Sequence, residues 1–318
     1  MSEVTALVTS SPAAVGDGFA DTAADRFDDA VRERAGGATD APSRTRSLLV
    51  AVREQPLLVV SVVWLVLVIV SALVPALLAP GDPLLAAPAD KLQGPSLAHL
   101  FGTDQIGRDL FTRVVHGTGL TISAASAAVL VGLVIGALLG LVAGFLGGWV
   151  DSVIMRIADV LLAIPSLLLS LAIIAALGFG TINVAIAVGV ASIAAVSRIM
   201  RAEVIRVRSA PFIEAAGASG NTRLRVLLRH VLPNSVGPVL VLAVLEFGGA
   251  ILAVSALGFL GYGAQPPTPE WGSLVSDGRD FLRTSWWLTT LPGLVIALTV
   301  LAANRVSRAL DRDGEGWG

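Results

Sequence analysis

The sequence predicts an all-α, polytopic membrane protein with six transmembrane helices. The first observation is composition: of 318 residues, 54% are hydrophobic and only 14% are charged, whereas soluble domains usually carry about 25% charged residues. The second is a set of six apolar stretches that are long enough to cross a bilayer. None alternates like a barrel strand, and lipid offers no partner to unpaired backbone groups, so each stretch must be a helix.

The elements follow in order along the chain. Residues 1–45 are rich in Ala, Asp, Gly, Ser and Thr without a sustained apolar period, which predicts a disordered cytoplasmic tail. Residues 46–318 form the membrane domain. A hydrocarbon core about 30 Å thick needs about 20 helical residues. The predicted spans are 57–79, 120–147, 157–177, 182–200, 236–261 and 286–304.

The distribution of Lys and Arg predicts the orientation of these spans. With the N-terminus inside, the inner segments carry 17 basic residues and the outer segments carry 5. Six of the 17 lie in the long N-terminal region, yet 11 inner residues remain without them. Cytoplasmic loops are enriched in basic residues, so both termini are expected in the cytoplasm.

A compact basic hairpin, residues 204–235, joins the fourth and fifth spans on the predicted cytoplasmic side. A short helix is expected to begin at Pro211 and to end at Gly220 in a left-handed conformation. Asn221 or Thr222 then caps a second helix, which Pro233 is expected to end before the fifth span. The apolar stripe of this second helix comprises Leu224, Leu227, Leu228, Val231 and Leu232.

The hairpin resembles the "EAA" loop of bacterial ABC importer permeases. Glu214-Ala215-Ala216 is followed after three residues by Gly220 and after twelve more by Pro233. Two further segments, FGTDQIGRDLFTRVVHGTGLTIS (101–123) and LGFLGYGAQPPTPEWGSLVSDGRDFL (257–282), resemble one permease subunit of dipeptide, oligopeptide and nickel importers. The resemblance implies the type I ABC importer permease fold.

The resemblance also implies partners and a location. A second homologous permease subunit would complete a heterodimeric pathway, two ATPase subunits or domains would drive it, and an extracytoplasmic binding protein would deliver the solute. ATP and Mg would bind the ATPases, and this multi-pass chain of the bacterial plasma membrane would bind no cofactor. The expected ATPase-coupling residues are Glu214, Ala215, Ala216, Gly217, Ser219, Gly220, Arg229 and Pro233.

The loop before the second span predicts an amphipathic outer helix over residues 103–118, capped by Thr103 or Asp104. Its charged residues are expected on its wetter faces. Two roles stay open for this region: packing and capping, or an outer gate that contacts the binding protein. The candidate contact residues are Asp104, Arg108, Asp109 and Trp271.

Glu246 is the only carboxylate deep within a predicted span. An ionisable residue at that depth is costly and commonly faces a cavity or a partner. Glu246 therefore either lines the substrate pathway and meets a cationic group, or it is protonated or bonded to a neighbouring helix. Asp159 lies three residues after Arg156, so these two side chains are expected to pair on one helix face.

Other classes of function find no support in the sequence. The only lysine is Lys91, so a phosphate-binding GxxxxGK[ST] loop is absent. The chain has no cysteine, and its three histidines lie far apart, so neither a metal site nor a catalytic residue is expected. Basic residues follow membrane topology, which disfavours nucleic-acid binding.

A secondary transporter acting without an ATPase is the alternative to an ABC importer permease. The substrate stays open among dipeptides, oligopeptides, nickel chelates, glutathione and sugars.

Overall fold

The computed structural model describes residues 56–314. The predicted tail, residues 1–45, lies outside the described residues. Within residues 56–314 the regular structure is helical, and the only strand-like contact is an isolated bridge between Thr103 and Asp109. The helices are α1 Pro56–Leu73, α2 Pro75–Leu78, α3 Leu110–Leu146, α4 Gly148–Leu162, α5 Ser166–Leu177, α6 Thr181–Arg208, α7 Pro211–Ala218, α8 Arg223–Val226, α9 Leu232–Phe259, α10 Trp271–Gly278 and α11 Trp287–Gly314.

Five of these segments are long and apolar enough to cross a membrane, with α8, the turn after it and α9 forming one of them. Helices α4 and α5 meet at an angle of 95° and are too short to cross a membrane separately. If the two together form one broken span, the number of spans rises to six. The expected third span was a single helix over 157–177, and that continuity is wrong. Pro165 lacks an N–H and disfavours α geometry at the residue before it, so the helix breaks there.

Helices α3 and α6 pack along a row of glycines on α3: Gly132, Gly136, Gly140 and Gly144. A Cβ atom on Gly136 would lie 2.7 Å from Cβ of Val196, and one on Gly144 would lie 2.9 Å from the carbonyl oxygen of Arg201. These distances are well below van der Waals contact. The absence of side chains therefore lets the two backbones approach closely, as small residues do between membrane helices.

Two ion pairs fasten α4 to α6. Arg201 binds Asp151 with an Nη2–Oδ2 distance of 2.6 Å, and Arg198 binds Asp159 with an Nη2–Oδ1 distance of 2.6 Å. The expected partner of Asp159 was Arg156, so that prediction is wrong. The cause is that α6 runs beside α4 and presents its arginines to the acidic side chains of α4.

The connections collect at two ends of the bundle. At one end, which we call the hairpin end, Arg208 Nη1 donates to the carbonyl oxygen of Phe145 at 2.9 Å. At the other, the loop end, Trp287 Nε1 donates to the carbonyl oxygen of Thr103 at 3.3 Å, and Gly180 N donates to the carbonyl oxygen of Tyr262 at 3.0 Å. The predicted inner and outer connections thus lie at opposite ends of the molecule.

Candidate functional site

The hairpin between α6 and α9 has much of the local structure that its sequence predicts. Helix α7 begins at Pro211, and Gly220 follows it with a φ of +82°. This left-handed conformation is the one that favours glycine. Thr222 caps α8 by accepting a hydrogen bond from the backbone N–H of Arg225 at 3.4 Å. Asn221 instead donates to the carbonyl oxygen of Ala216 at 2.9 Å and closes α7.

Helix α7 has one face toward the bundle and one face free. Ile213 is buried and Ala216 is half-buried, and both belong to the apolar cluster that includes Val226 and Val231. The residues from the expected coupling set that lie exposed are Glu214, Ala215, Ser219, Gly220, Arg229 and Pro233. The free face of α7 ends in the small, exposed residues Ala215, Ala218 and Ser219, and small side chains suit close contact with another protein.

The hairpin also exposes large apolar side chains, two of which belong to the predicted apolar stripe. Leu224 is 63% exposed and Leu228 is 54% exposed, and Phe212 on α7 is 49% exposed. The side chains that do turn inward from this part are Val226, Leu227 and Val231. The predicted stripe is therefore wrong for Leu224 and Leu228, because the helix is not regular here.

The irregularity is a π-helical turn at Leu227–Val231, in which the N–H of Leu232 donates to the carbonyl oxygen of Leu227. Pro233 follows directly after this turn, as the second residue of α9. The chain therefore continues as helix from Arg223 to Phe259. The expectation that Pro233 ends the second hairpin helix is wrong.

At the loop end, the expected helix over 103–118 is wrong for residues 103–109, and residues 110–118 form the first turns of α3 instead of a separate helix. Residues 103–109 form turns, and α3 begins at Leu110 with Asp109 as its cap. Asp109 Oδ2 accepts from the Thr112 N–H at 2.8 Å, and Asp109 Oδ1 lies 3.0 Å from His99 Nδ1. The cap of the long helix thus lies five or six residues after the expected cap, Thr103 or Asp104.

Asp104 is a buried anion between two arginines. Its Oδ2 accepts from Arg108 Nε at 2.6 Å and from Arg113 Nη1 at 3.0 Å, and its Oδ1 accepts from the Arg108 N–H at 2.9 Å. Asp104, Arg108 and Arg113 are 2%, 8% and 3% exposed. The expectation of wetter faces for these arginines is therefore wrong. Because the group is buried, removal of any one of the three charges would leave an uncompensated buried charge, so the set is expected to be retained together.

Trp271 and its neighbour Glu270 hold the start of α10 against α3. Trp271 is fully buried, and its Nε1 donates to the carbonyl oxygen of Val114 at 3.1 Å. Glu270 caps α10 by accepting from the N–H groups of Gly272 at 2.9 Å and Ser273 at 3.1 Å. Of the four candidate contacts for a binding protein, Asp104, Arg108 and Trp271 are buried, which favours packing over contact.

Sequence reasoning overlooked Glu270. Its side chain is 1% exposed and fits against two glycines, since a Cβ on Gly263 would lie 2.9 Å from Glu270 Oε2 and a Cβ on Gly258 would overlap the same oxygen. Burial raises the pKa of Glu270, while the two backbone N–H donors oppose the shift. Burial likewise raises the pKa of Asp277, against the opposing charge of Arg113. A Glu directly before Trp-Gly-Ser was the available signal of a cap.

Glu246 lines a cavity of about 490 Å³ between α3, α5, α6 and α9. It lies 14 residues after the start of α9 and 13 residues before its end. No group of three or more metal-ligating side chains occurs among residues 56–314. The cavity and the hairpin lie at different levels of the bundle, and α6 and α9 connect them.

Comparison with known proteins identifies the family. The family model described as "Binding-protein-dependent transport system inner membrane component" matches residues 132–313. The dipeptide transport system permease protein DppC of Alkalihalophilus pseudofirmus is 42% identical over 270 residues, covering 85% of this chain and 89% of that protein. The glutathione transport system permease protein GsiD of Escherichia coli is 41% identical over 259 residues, covering 81% and 86%.

Solved structures share the fold. An amino acid ABC transporter crystallised with histidines has a TM-score of 0.51 at 15% identity, covering 64% of this chain and 94% of that chain. The MetNI methionine ABC transporter in an inward-facing conformation has a TM-score of 0.50 at 19% identity, covering 63% and 97%. The predicted type I importer fold is confirmed, and none of these comparisons supports a secondary transporter.

Proposed function

Because the chain belongs to the family of binding-protein-dependent transport system inner membrane components, we propose that it is a non-catalytic permease subunit whose hairpin receives the movement of an ATPase. The observation that carries this proposal is the segment 214–220 at the hairpin end, in which Glu214, Ala215, Ala218, Ser219 and Gly220 are exposed. Its small side chains allow a partner's backbone to come close. Phe212, Leu224 and Leu228 border it with exposed apolar surface, which desolvates readily in an interface.

Helices α6 and α9 are the route from the hairpin to the cavity. Each is 28 residues long, or about 42 Å at 1.5 Å per residue, so each extends along the bundle from the hairpin to the loop end. Both helices also line the cavity that contains Glu246. A displacement of the hairpin by ATP-driven closure of the ATPases would therefore reach the solute pathway without an intermediate element.

The partners and location follow from this role. A second homologous permease would complete the pathway, two ATPase subunits or domains would bind ATP and Mg, and an extracytoplasmic binding protein would supply the solute. The hairpin end would face the cytoplasm and the loop end the exterior of the bacterial plasma membrane. The similarity to DppC and GsiD favours short peptides and peptide-like solutes as cargo.

Two substitutions in the hairpin test the proposal. Ala215→Trp places a bulky group on the exposed face of α7, and Gly220→Val places a β-branched residue at a φ of +82°. Overpacking of a well-fitted contact costs about 1–3 kcal/mol. We therefore expect each variant to reach the membrane at the wild-type level, to recover about 5- to 150-fold less ATPase on purification, and to lose uptake.

The control is Ala98→Trp, an equally bulky change at an exposed alanine of the loop end. It should leave recovery of the ATPase unchanged. Wild-type recovery of the ATPase and wild-type uptake in both hairpin variants would show that the hairpin is an ordinary loop.

A further inference from the structure

The cavity around Glu246 has walls of small side chains. On the α9 side, Ala243, Gly249 and Ala253 share a face with Glu246, at intervals of three or four residues. A Cβ built on Gly249 would meet no atom within 4 Å, so the space beside the carboxylate is open. A cavity of about 490 Å³ lies within the range of small-molecule sites. The Glu246 side chain is thus free to meet a solute.

Among the described residues, Glu246 is the only charged one that lines this cavity. Among residues 56–314, no side chain or backbone group pairs with the Glu246 carboxylate, and no lysine, arginine or histidine lines the cavity. Ser170 Oγ already donates to the carbonyl oxygen of Ser166 at 2.9 Å, and Ser192 Oγ donates to that of Gly189 at 2.9 Å. Of the three serine hydroxyls on the cavity wall, those of Ser170 and Ser192 have thus committed their protons, and that of Ser166 donates to no group among the described residues.

A cavity near the centre of a span whose one charged group is a carboxylate matches a ligand that carries a positive charge. Glu246 lies about 20 Å from either end of α9, where an unpaired carboxylate is costly. A primary ammonium group supplies three donors and a compensating positive charge. An anion would bring a second negative charge into the same apolar surroundings and would be repelled.

We propose that Glu246 is the specificity-determining residue of the pathway and receives an ammonium group of the passing solute. The favoured cargo is then a short amine-bearing solute of positive or zero net charge, and anionic solutes gain nothing from this site. The inference rests on the proposed function, because the cavity meets a solute only if the chain is a permease.

Uptake of three matched dipeptides by the intact transport complex tests the inference. The probes are lysyl-alanine, alanyl-alanine and aspartyl-alanine, which differ in net charge and keep the same α-amino group. Every strain contains the same binding protein. Its own selectivity therefore cancels when the uptake of each probe by a variant is divided by the uptake of that probe by wild type. In Glu246→Gln, we expect lysyl-alanine uptake to fall about ten-fold or more, since hydrogen bonds to charged groups contribute about 1.5–3 kcal/mol. Alanyl-alanine uptake should fall less, and aspartyl-alanine uptake should fall least.

A second pair of variants keeps Glu246 in place and removes its effect. Gly249→Lys puts an ammonium group one turn away on the same face, where it can pair with the carboxylate. Gly249→Met occupies similar space without charge. Lysyl-alanine uptake should be selectively lost in Gly249→Lys when compared with Gly249→Met. This comparison tests the role of the Glu246 charge even if the Glu246→Gln variant does not assemble.

An equal loss of all three probes in Glu246→Gln, with no difference between the two Gly249 variants, would overturn the inference and leave Glu246 a packing residue. Recovery of the ATPase with each variant is measured in parallel. If wild type itself neither retains an ATPase nor transports any probe, the proposed function fails, and that outcome is distinct from a loss of charge selectivity.

Discussion

At the residue scale, single buried polar side chains fix the irregular parts of this chain. Asp104 binds two arginines and Glu270 caps α10, and both are almost fully buried. They differ in how their charge is compensated. Asp104 has two cationic partners, whereas Glu270 has only neutral N–H and hydroxyl donors. Glu270 is therefore the carboxylate whose ionisation should matter for stability.

Glu270 predicts a pH dependence of stability. Burial raises its pKa in the folded protein, so the folded state binds this proton more tightly than the unfolded chain does. Stability from this group is then greatest below the ordinary carboxyl pKa of about 4.3 and falls as the pH rises through the raised value. Asp277 acts in the same direction. The melting temperature of the purified protein, followed by tryptophan fluorescence, should decline across this window.

Glu270→Gln isolates the contribution of this residue. The amide oxygen can still accept from a backbone N–H, and nothing ionises, so the decline with pH should become shallower. Glu270→Ala is the matched control, because it also removes ionisation but loses the cap, which costs about 1 kcal/mol. Its melting temperature should be lower at every pH. A decline as steep in Glu270→Gln as in wild type would mean that Glu270 does not govern the pH dependence.

At the element scale, the long apolar runs predicted which segments are helical, because a single segment within lipid can satisfy its own backbone hydrogen bonds only as a helix. They did not predict where the helices end. Helix α3 begins at Leu110, ten residues before the apolar run, because Asp109 caps it there. Asp104 and Asp109 are equivalent caps by local sequence. What separates them is the engagement of Asp104 by Arg113, together with a backbone turn that no pattern specifies.

The candidate site was predictable to a different degree at each position. The turn at Gly220 follows from local chemistry and has the expected conformation. The exposure of Leu224 and Leu228 could not be predicted from their spacing, because a π-helical turn at Leu227–Val231 interrupts the regular helix and has no sequence signature of comparable strength. The burial of Trp271 depends on a contact with α3, 157 residues earlier in the chain at Val114.

The packing of α3 on α6 predicts a steep sensitivity at its glycines. Gly136→Ala introduces a Cβ 2.7 Å from that of Val196 and 2.8 Å from the carbonyl oxygen of Ile193, so the helices must separate. Overpacking of this kind costs about 1–3 kcal/mol. We expect a lower melting temperature and a reduced yield of folded protein.

Gly293→Ala in α11 is the matched control for the contact between α3 and α6. A Cβ there meets no atom within 4 Å, and alanine favours helix over glycine by about 1 kcal/mol. This variant should be as stable as wild type or slightly more stable. Equal effects of the two substitutions would mean that α3 and α6 are not held together by close backbone approach.

At the scale of the whole molecule, the hairpin, the cavity and the loop end follow one another along the bundle. The hairpin end offers an exposed helix to a partner, the loop end is closed by buried ion pairs and tryptophans, and the cavity lies between them. Because α6 and α9 run the full distance, the proposed movement at the hairpin would change the angle of both cavity walls. This arrangement requires that the hairpin and the loop end face opposite sides of the membrane.

Cysteine accessibility tests that requirement directly, since the natural chain contains no cysteine. Ser96→Cys and Thr284→Cys mark exposed positions of the loop end, and Ser219→Cys and Arg225→Cys mark exposed positions of the hairpin. With 11 basic residues in the inner segments against 5 in the outer ones, apart from the N-terminal six, the hairpin should be cytoplasmic. An impermeant thiol reagent should label the first pair in intact cells and the second pair only after permeabilisation. Labelling of the hairpin pair from outside would reverse the orientation, and an ATPase of the cytoplasm could then not reach α7.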